Sequence, residues 1–156
     1  MNEKILNSEL KLLYPTEFEE MTEEELKKYF TKSTNRWGVI DREGHFMVSV
    51  GWTNQLGLMS FMTDVKSVLA PFEKNMRKTL MDYQRTGELH AEICSGRASG
   101  FTFEFTANDK PVRQYGNIMA LKVKKRYYIV TASTGNTDNL YRRQVFDGIV
   151  SSFTVI

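Results

Sequence analysis

Three stretches of the chain carry residue types that could do chemistry. The first is His90-Ala91-Glu92, followed by Cys94. It matches the His-x-Glu half of the zinc-deaminase signature, in which a metal-bound water attacks a nucleobase ring while the glutamate moves the proton. That chemistry also needs a Pro-Cys-x-x-Cys pair, and a chain with one cysteine cannot complete it. A strand would set His90, Glu92 and Cys94 on one face, and three such groups could in principle gather an ion. The plainer reading is an outward polar face with one incidental thiol, so no metal and no cofactor is expected.

The second stretch, "SGRASGFTFEF" over residues 95 to 105, looks like the centre of an RNA-recognition strand. In that pattern exposed aromatics stack bases while a valine and a last aromatic lie underneath. Aligned on Gly100, the two buried places fall on Glu104 and Thr106. A carboxylate on a core face costs several kcal/mol unless paired, whereas each buried phenylalanine contributes roughly 1.5–3 kcal/mol. Phe101, Phe103 and Phe105 are therefore expected to face inward, and nucleic acid is not expected as a partner. The same stretch holds no nucleophile elbow, since "GRASG" puts Ser99 one place late. No base stands at a known spacing from Ser99 or Cys94, His45 just after the hairpin turn is expected to be solvent-exposed rather than a general base, and phosphate-cradling glycine loops of either familiar kind are missing.

The third is basic. "LKVKKR", Leu121 to Arg126, could join Arg142 and Arg143 in a patch for an acidic partner. Lys122 and Lys124 alternate with Leu121 and Val123, however, as on the solvated side of a half-buried strand, where charge also keeps sheet edges apart. A fourth segment has no chemistry but an unusual surface. "NQLGLMSFM" carries Leu56, Leu58, Met59, Phe61 and Met62 without a clean period, and methionine-rich irregular segments suit adaptable partner binding.

The elements that must position these residues can be read from composition and period. At 156 residues, 41% apolar and 12% aromatic, the chain suits one domain, residues 1–156, burying roughly two-thirds of its unfolded surface. No apolar run approaches the roughly 20 residues that span a bilayer, and "MNEKILNSEL" has no signal-like apolar centre. A cytoplasmic protein with no membrane partner is expected, in agreement with its lone cysteine. The first 31 residues hold eight acidic and four basic side chains, the remainder eleven and seventeen. Much of that acidity, Glu17 to Glu25, reads as the dipole-complementing start of a helix.

Thr22 and Glu25 form a capping box that opens a helix over about 22–31. Alternation on both sides of Asp41-Arg42-Glu43-Gly44 makes Arg36 to Trp52 a hairpin with Phe46, Val48, Val50 and Trp52 on one face. Apolar positions 65, 68, 69, 72, 76, 80 and 83 predict a long helix with Gly87 as its stop. From residue 88 the period is two, giving four strands in an antiparallel meander. Thr137 or Asp138 then caps a helix with Leu140, Val145, Phe146, Ile149 and Val150 inward, and "SFTVI" ends in a strand. The fold class is α/β of the α+β kind. It has a mostly antiparallel sheet of about six to seven strands, a long central helix, and a C-terminal helix packed on it.

This order, with Tyr14-Pro15 near the start, an early tryptophan hairpin and the ending "RYYIVTASTGNTDNLYRRQVFDGIVSSFTV", resembles the Mog/PsbP-like superfamily of α/β/α sandwiches, DcrB-like proteins included. The likeness is most specific at Tyr127 to Ala132 and Ser152-Phe153. It implies a non-enzymatic binding module, since relatives serve as partner-binding factors, photosystem subunits, bacterial lipoproteins and chaperone-like adaptors. None of the matching motifs is catalytic, so no active-site residue carries over.

The function expected is a protein- or peptide-binding module of the adaptor or chaperone-like kind. Its candidate surfaces are the sheet's outward face, with His90, Glu92, Thr102, Glu104, Lys122 and Lys124, and the apolar segment with Leu56, Leu58, Met59 and Phe61. The alternative is a small-molecule binder or enzyme with a pocket between sheet and long helix, lined by Trp37, Trp52 and Tyr83.

Overall fold

The computed structural model describes residues 1–30, 34–43, 46–54, 64–107, 112–134 and 139–156. Two N-terminal strands, β1 (Asn2–Leu6) and β2 (Leu10–Tyr14), form a hairpin that residue period alone did not announce. Its turn uses Asn7 and Ser8, both at positive φ. A short β3 (Glu19–Glu20) leads into α1 (Glu23–Tyr29), and β4 (Arg36–Asp41) and β5 (Phe46–Trp52) make the expected hairpin. The long helix α2 (Val65–Thr79) precedes the meander of β6 (Met81–Ile93), β7 (Gly96–Thr106), β8 (Arg113–Val123) and β9 (Arg126–Thr134). Helix α3 (Asn139–Ser151) and β10 (Thr154–Val155) end the chain.

Seven strands form one antiparallel sheet in the order β3-β4-β5-β9-β8-β7-β6, and β1-β2-β10 form a second, smaller one. The meander is local, so each strand lies beside its sequence neighbour. β9 then closes against β5 from Phe46↔Thr134 to Trp52↔Tyr128. At the head of α1 the Thr22 hydroxyl accepts from the Glu25 amide at 3.2 Å, and the Glu25 carboxylate accepts from the Thr22 amide at 2.9 Å, completing the capping box.

The large sheet is covered on both faces. Its front carries α1, with Leu26 against Ile40 and Met47, and α2, with Leu69 against Phe101, Phe103, Ile118 and Ile129. Phe101 and Phe103 are 2% and 3% exposed, and Phe105 is half-buried beside them. The aromatic parity read from residues 101 to 105 therefore holds. The back carries α3 and the small sheet. Phe146, Ile149 and Val150 join Leu10, Leu12 and Tyr14 over Val48, Val50 and Val130 in one core.

A buried polar clamp ties the N-terminal hairpin to that core. Tyr128 donates to Glu9 Oε1 at 2.7 Å and accepts from the Asn7 amide at 2.9 Å, while Arg126 Nη1 lies 3.0 Å from the same Glu9 oxygen. Burial, with the Glu9 charge adding to it, pushes the Tyr128 phenol well above its usual range.

Several local expectations are corrected. The long helix ends at Thr79 with Leu80 as its cap, so Gly87 lies inside β6 and stops nothing. Apolar positions 80 and 83 fit a helical stripe, yet Tyr83 reaches the same face from a strand, after Asp82 turns the chain at φ 51. Leu140 points out and is 69% exposed, because α3 buries its later turns. The β6–β7 turn is Cys94-Ser95, with both residues at positive φ. His45, Thr137 and Asp138 lie outside the described residues.

Candidate functional site

The strand register divides the outward-face residues between the two sides of the sheet. Leu89, Ala91 and Ile93 face the back core, so the intervening His90 and Glu92 face the front. Leu121 and Val123 also face back, which sends Lys122 forward, its Nζ 5.9 Å above the Tyr127 ring. Phe101 and Phe103 face front, so Thr102 and Glu104 face back. Lys124 lies in the β8–β9 turn and donates to the Ile156 carbonyl at 2.7 Å. Thr102 and Glu104 line one cavity of the back face, and His90 and Glu92 border another along β6. Cys94 leaves the His90 face because its positive-φ turn swings it toward Phe153, whose carbonyl accepts from Sγ at 3.4 Å. No cluster of three His, Cys, Asp or Glu side chains that could hold a metal occurs among the described residues. Leu56, Leu58, Met59 and Phe61 lie outside them.

The back face forms a groove. Helix α3 sits over the middle of the sheet and leaves β6 and β7 extending beyond it. Two cavities follow that overhang. One, of about 440 Å³, is lined by Thr86, Thr102, Glu104, Tyr115, Asn117 and Arg142 among others. The second, of about 470 Å³, lies between Leu89, Ala91 and Ile93 of β6 and Asp147 and Ser151 of α3. Arg143 lines both, so they are two halves of one channel alongside the helix.

Ala91 supplies a small side chain to the floor of the second half. Gly100, which lines the front cleft, has no room for a side chain, since a Cβ there would stand 1.9 Å from the Ile118 carbonyl oxygen. The walls are polar and largely occupied with one another. Arg143 Nε donates to both Asp147 oxygens at 2.9 and 3.0 Å, Arg113 Nε donates to Glu104 at 3.3 Å, and the Thr86 and Thr102 hydroxyls are 2.8 Å apart. Arg142 is buried, at 5% exposure, inside the first half. Burial raises the Cys94 thiol above its usual range at the end of the second half. The channel thus offers apolar contacts from Leu89, Ala91 and Ala132 together with exchangeable ion pairs, which suit an extended segment.

The front face offers less room. A cleft of about 200 Å³ separates α2 from the sheet, next to Lys66, Glu73, Arg85, Glu88 and His90. Drug-sized ligand pockets begin at about 300 Å³. The aromatic trio of the small-molecule reading does not converge. Trp37 packs on Tyr14 and Trp52 on Tyr128 at the back, while Tyr83 stacks on Phe103 at the front.

Tyr115, Asn117, Thr86 and Asp147 were not singled out from sequence, and Arg142 only as part of a basic patch. Their signal was present as parity: Tyr115 and Asn117 share a face with Met119. Which face carries a groove depends on where α3 lands, and period does not encode that.

No family model matches the chain, and no curated protein matches it by sequence. Solved structures do. The chain is similar to CyanoP, the cyanobacterial PsbP of Synechocystis sp. PCC 6803, with a TM-score of 0.66 at 10% identity over 99% of this chain and 92% of that one. It is similar to LpqN of Mycobacterium tuberculosis, a protein involved in cell envelope biogenesis, at TM-score 0.61 and 14% identity over 94% and 82%. A third likeness is PA94 of Pseudomonas aeruginosa, of unknown function, at TM-score 0.54 and 11% identity over 69% and 70%. These likenesses establish the PsbP/Mog1p-like, DcrB-like fold.

Proposed function

We propose that this chain, with its PsbP/Mog1p-like fold, is a non-enzymatic module that binds an extended protein or peptide segment in the channel beside α3. The observation that carries the reading is the channel itself, walled by a helix on one side and a strand on the other, with the small Ala91 and Ala132 in its lining. A helix-and-strand channel with small residues in its lining accepts a backbone of many sequences, while Arg142, Arg143, Glu104 and Asp147 select among side chains. Binding that exchanges existing ion pairs, such as Arg143–Asp147, costs little selectivity at the rim and leaves hydrophobic burial to supply affinity. A cytoplasmic setting belongs to this proposal and is supported by the lone, partly buried Cys94.

The test is selection from a displayed library of random linear peptides, followed by fluorescence-polarisation titration of the enriched sequences. Thr102→Trp, which puts an indole into the first half of the channel, is expected to weaken binding at least tenfold. Enriched peptides that bind the Trp variant unchanged would sink the channel assignment. Native mass spectrometry of the purified protein supplies the other arm, since a stoichiometric small molecule would favour the pocket reading instead.

A further inference from the structure

Strand β6 ends the seven-stranded sheet, and among the described residues no strand pairs with its outer side. Such an edge is a template for another chain unless something blunts it. The first half of β6 is blunted, because register shifts between Met81 and Gln84 and between Arg85 and Gly87 break its regularity. From Glu88 to Ile93 the pairing with β7 runs without interruption. The outward side of this stretch can therefore accept a partner strand.

The turn decides which groups are offered. Cys94 and Ser95 form a two-residue hairpin loop with both φ positive, so Ile93 and Gly96 are its closing hydrogen-bonded pair. Counting back by twos, Leu89, Ala91 and Ile93 direct their N–H and C=O groups at β7. Glu88, His90 and Glu92 direct theirs at the open edge. A partner strand would exchange hydrogen bonds with those three residues.

We propose that the partner is a second copy of this chain, paired antiparallel through β6 about a two-fold axis at Ala91. The sequence "LHAEI", residues 89 to 93, is self-complementary in that register. On the back face Leu89 stands opposite Ile93, Ala91 opposite Ala91, and Ile93 opposite Leu89. On the front face His90 stands opposite Glu92, twice. The neighbouring registers that preserve facing parity do not share this property. An axis at His90 sets Glu88 against Glu92, and an axis at Glu92 sets that carboxylate against its own copy. Like charges directly opposite destabilise a strand pair, while opposite charges and apolar pairs stabilise it. His90 is exposed and now lies 3.2 Å from Glu88, so in the dimer a carboxylate flanks it on each side. The two sheets become one of fourteen strands, and the two channels beside α3 meet across the axis. A seam of five residue pairs is smaller than a standard stable interface, so association in the micromolar range or weaker is expected.

The register is testable by disulfide trapping in a Cys94→Ser background. Ala91→Cys places two thiols in a non-hydrogen-bonded pair, where Cα atoms stand about 4.5 Å apart, inside disulfide range. It should form a covalent dimer under mild oxidation. Leu89→Cys in the same background should not, because its copy lies about four residues farther along the seam. Equal trapping of both, or of neither, overturns the proposal.

Sedimentation equilibrium of the unmodified protein gives a second reading. His90→Pro removes an edge N–H without touching a bond to β7, and should leave a monomer with an unchanged circular dichroism spectrum. His90→Glu should weaken association about threefold to tenfold, and adding Glu92→His should restore it. A monomer at all concentrations up to about 1 mM, or an edge that takes only unrelated strands and never traps through Ala91→Cys, also overturns it.

Discussion

The two faces of the seven-stranded sheet are held by different forces. At the back, α3 contributes three fully buried apolar side chains to a core shared with both sheets. At the front, α2 is longer but buries only Leu69 fully, and its stripe of Val65, Val68, Met76 and Leu80 stays half open. Polar contacts make up part of the difference. Glu73 accepts from Tyr83 at 2.8 Å and from Arg85 at 3.3 Å, while Arg85 lies 4.5 Å over the Phe101 ring and Arg77 5.0 Å over Tyr83. Burial and the Glu73 carboxylate together raise the Tyr83 phenol far above its usual range. The back is a wide hydrophobic seal, and the front is a narrow one with a rim of charge. A molecule built this way can vary its front rim without loss of fold, and cannot do so at the back.

The largest effect that would separate the faces is a pair of core truncations. Phe146→Ala should destabilise by about 3–5 kcal/mol and Leu69→Ala by about 2 kcal/mol, read as midpoints in urea with unchanged slope. Equal losses would break the contrast. Glycine substitutions sharpen it next. Gly100→Ala meets the Ile118 carbonyl, which cannot move without its strand, whereas Gly116→Ala meets the buried Phe103 ring at 2.2 Å, a side chain that can shift where backbone cannot. The expected cost is about 3 kcal/mol or more at Gly100 and about 1–2 kcal/mol at Gly116, by thermal melting.

Polar variants give smaller effects. Glu9→Gln weakens the hydrogen bonds and charge contact that hold Tyr128 and Arg126 to the N-terminal hairpin, and should cost about 2 kcal/mol. Arg85→Ala at the front should cost about 0.5–1 kcal/mol, falling further in high salt, because its ion pair is part exposed. A double titration in denaturant and salt distinguishes them. Smallest is Cys94. Its thiol is raised by burial in the folded state, so its contribution is full below the unfolded value of about 8.5 and declines as pH rises through the folded value. Alkylation by iodoacetamide at pH 8 should be slower than for an unfolded control. A thiol that reacts as fast in the native protein would show that burial does not govern it.

Much of this architecture was legible because period and capping are local. Thr22 and Glu25 declared α1, the alternation from Phe46 to Trp52 declared β5, and the inward set Phe101, Phe103 and Phe105 followed from the cost of burying Glu104. Errors arose where two local readings were both satisfied. Positions 80 and 83 suited a helix and a strand equally, and only the turn at Asp82 separates them. The candidate site was less legible. His90, Glu92, Thr102, Glu104 and Lys122 were grouped as one outward face, but two residues on adjacent strands share a face only if their register has the same parity. Register is a long-range quantity. Ala91 pairs with Ala98 and Leu89 with Gly100, so an even-numbered residue of β6 and one of β7 face opposite ways.

The amino-acid order by itself determined the elements and which side of each strand is apolar, because side-chain alternation and helix caps need only neighbours a few residues away. It also determined that the segment from Leu89 to Ile93 is complementary to its own reverse. The tertiary structure alone decided that this segment lies at a sheet edge, and that α3 stops short of β6 and leaves a channel. It likewise decided that Glu9 meets Tyr128 across 119 positions of chain. Those outcomes depend on which buried faces are satisfied first by partners distant in sequence, a competition among whole elements that no local pattern records.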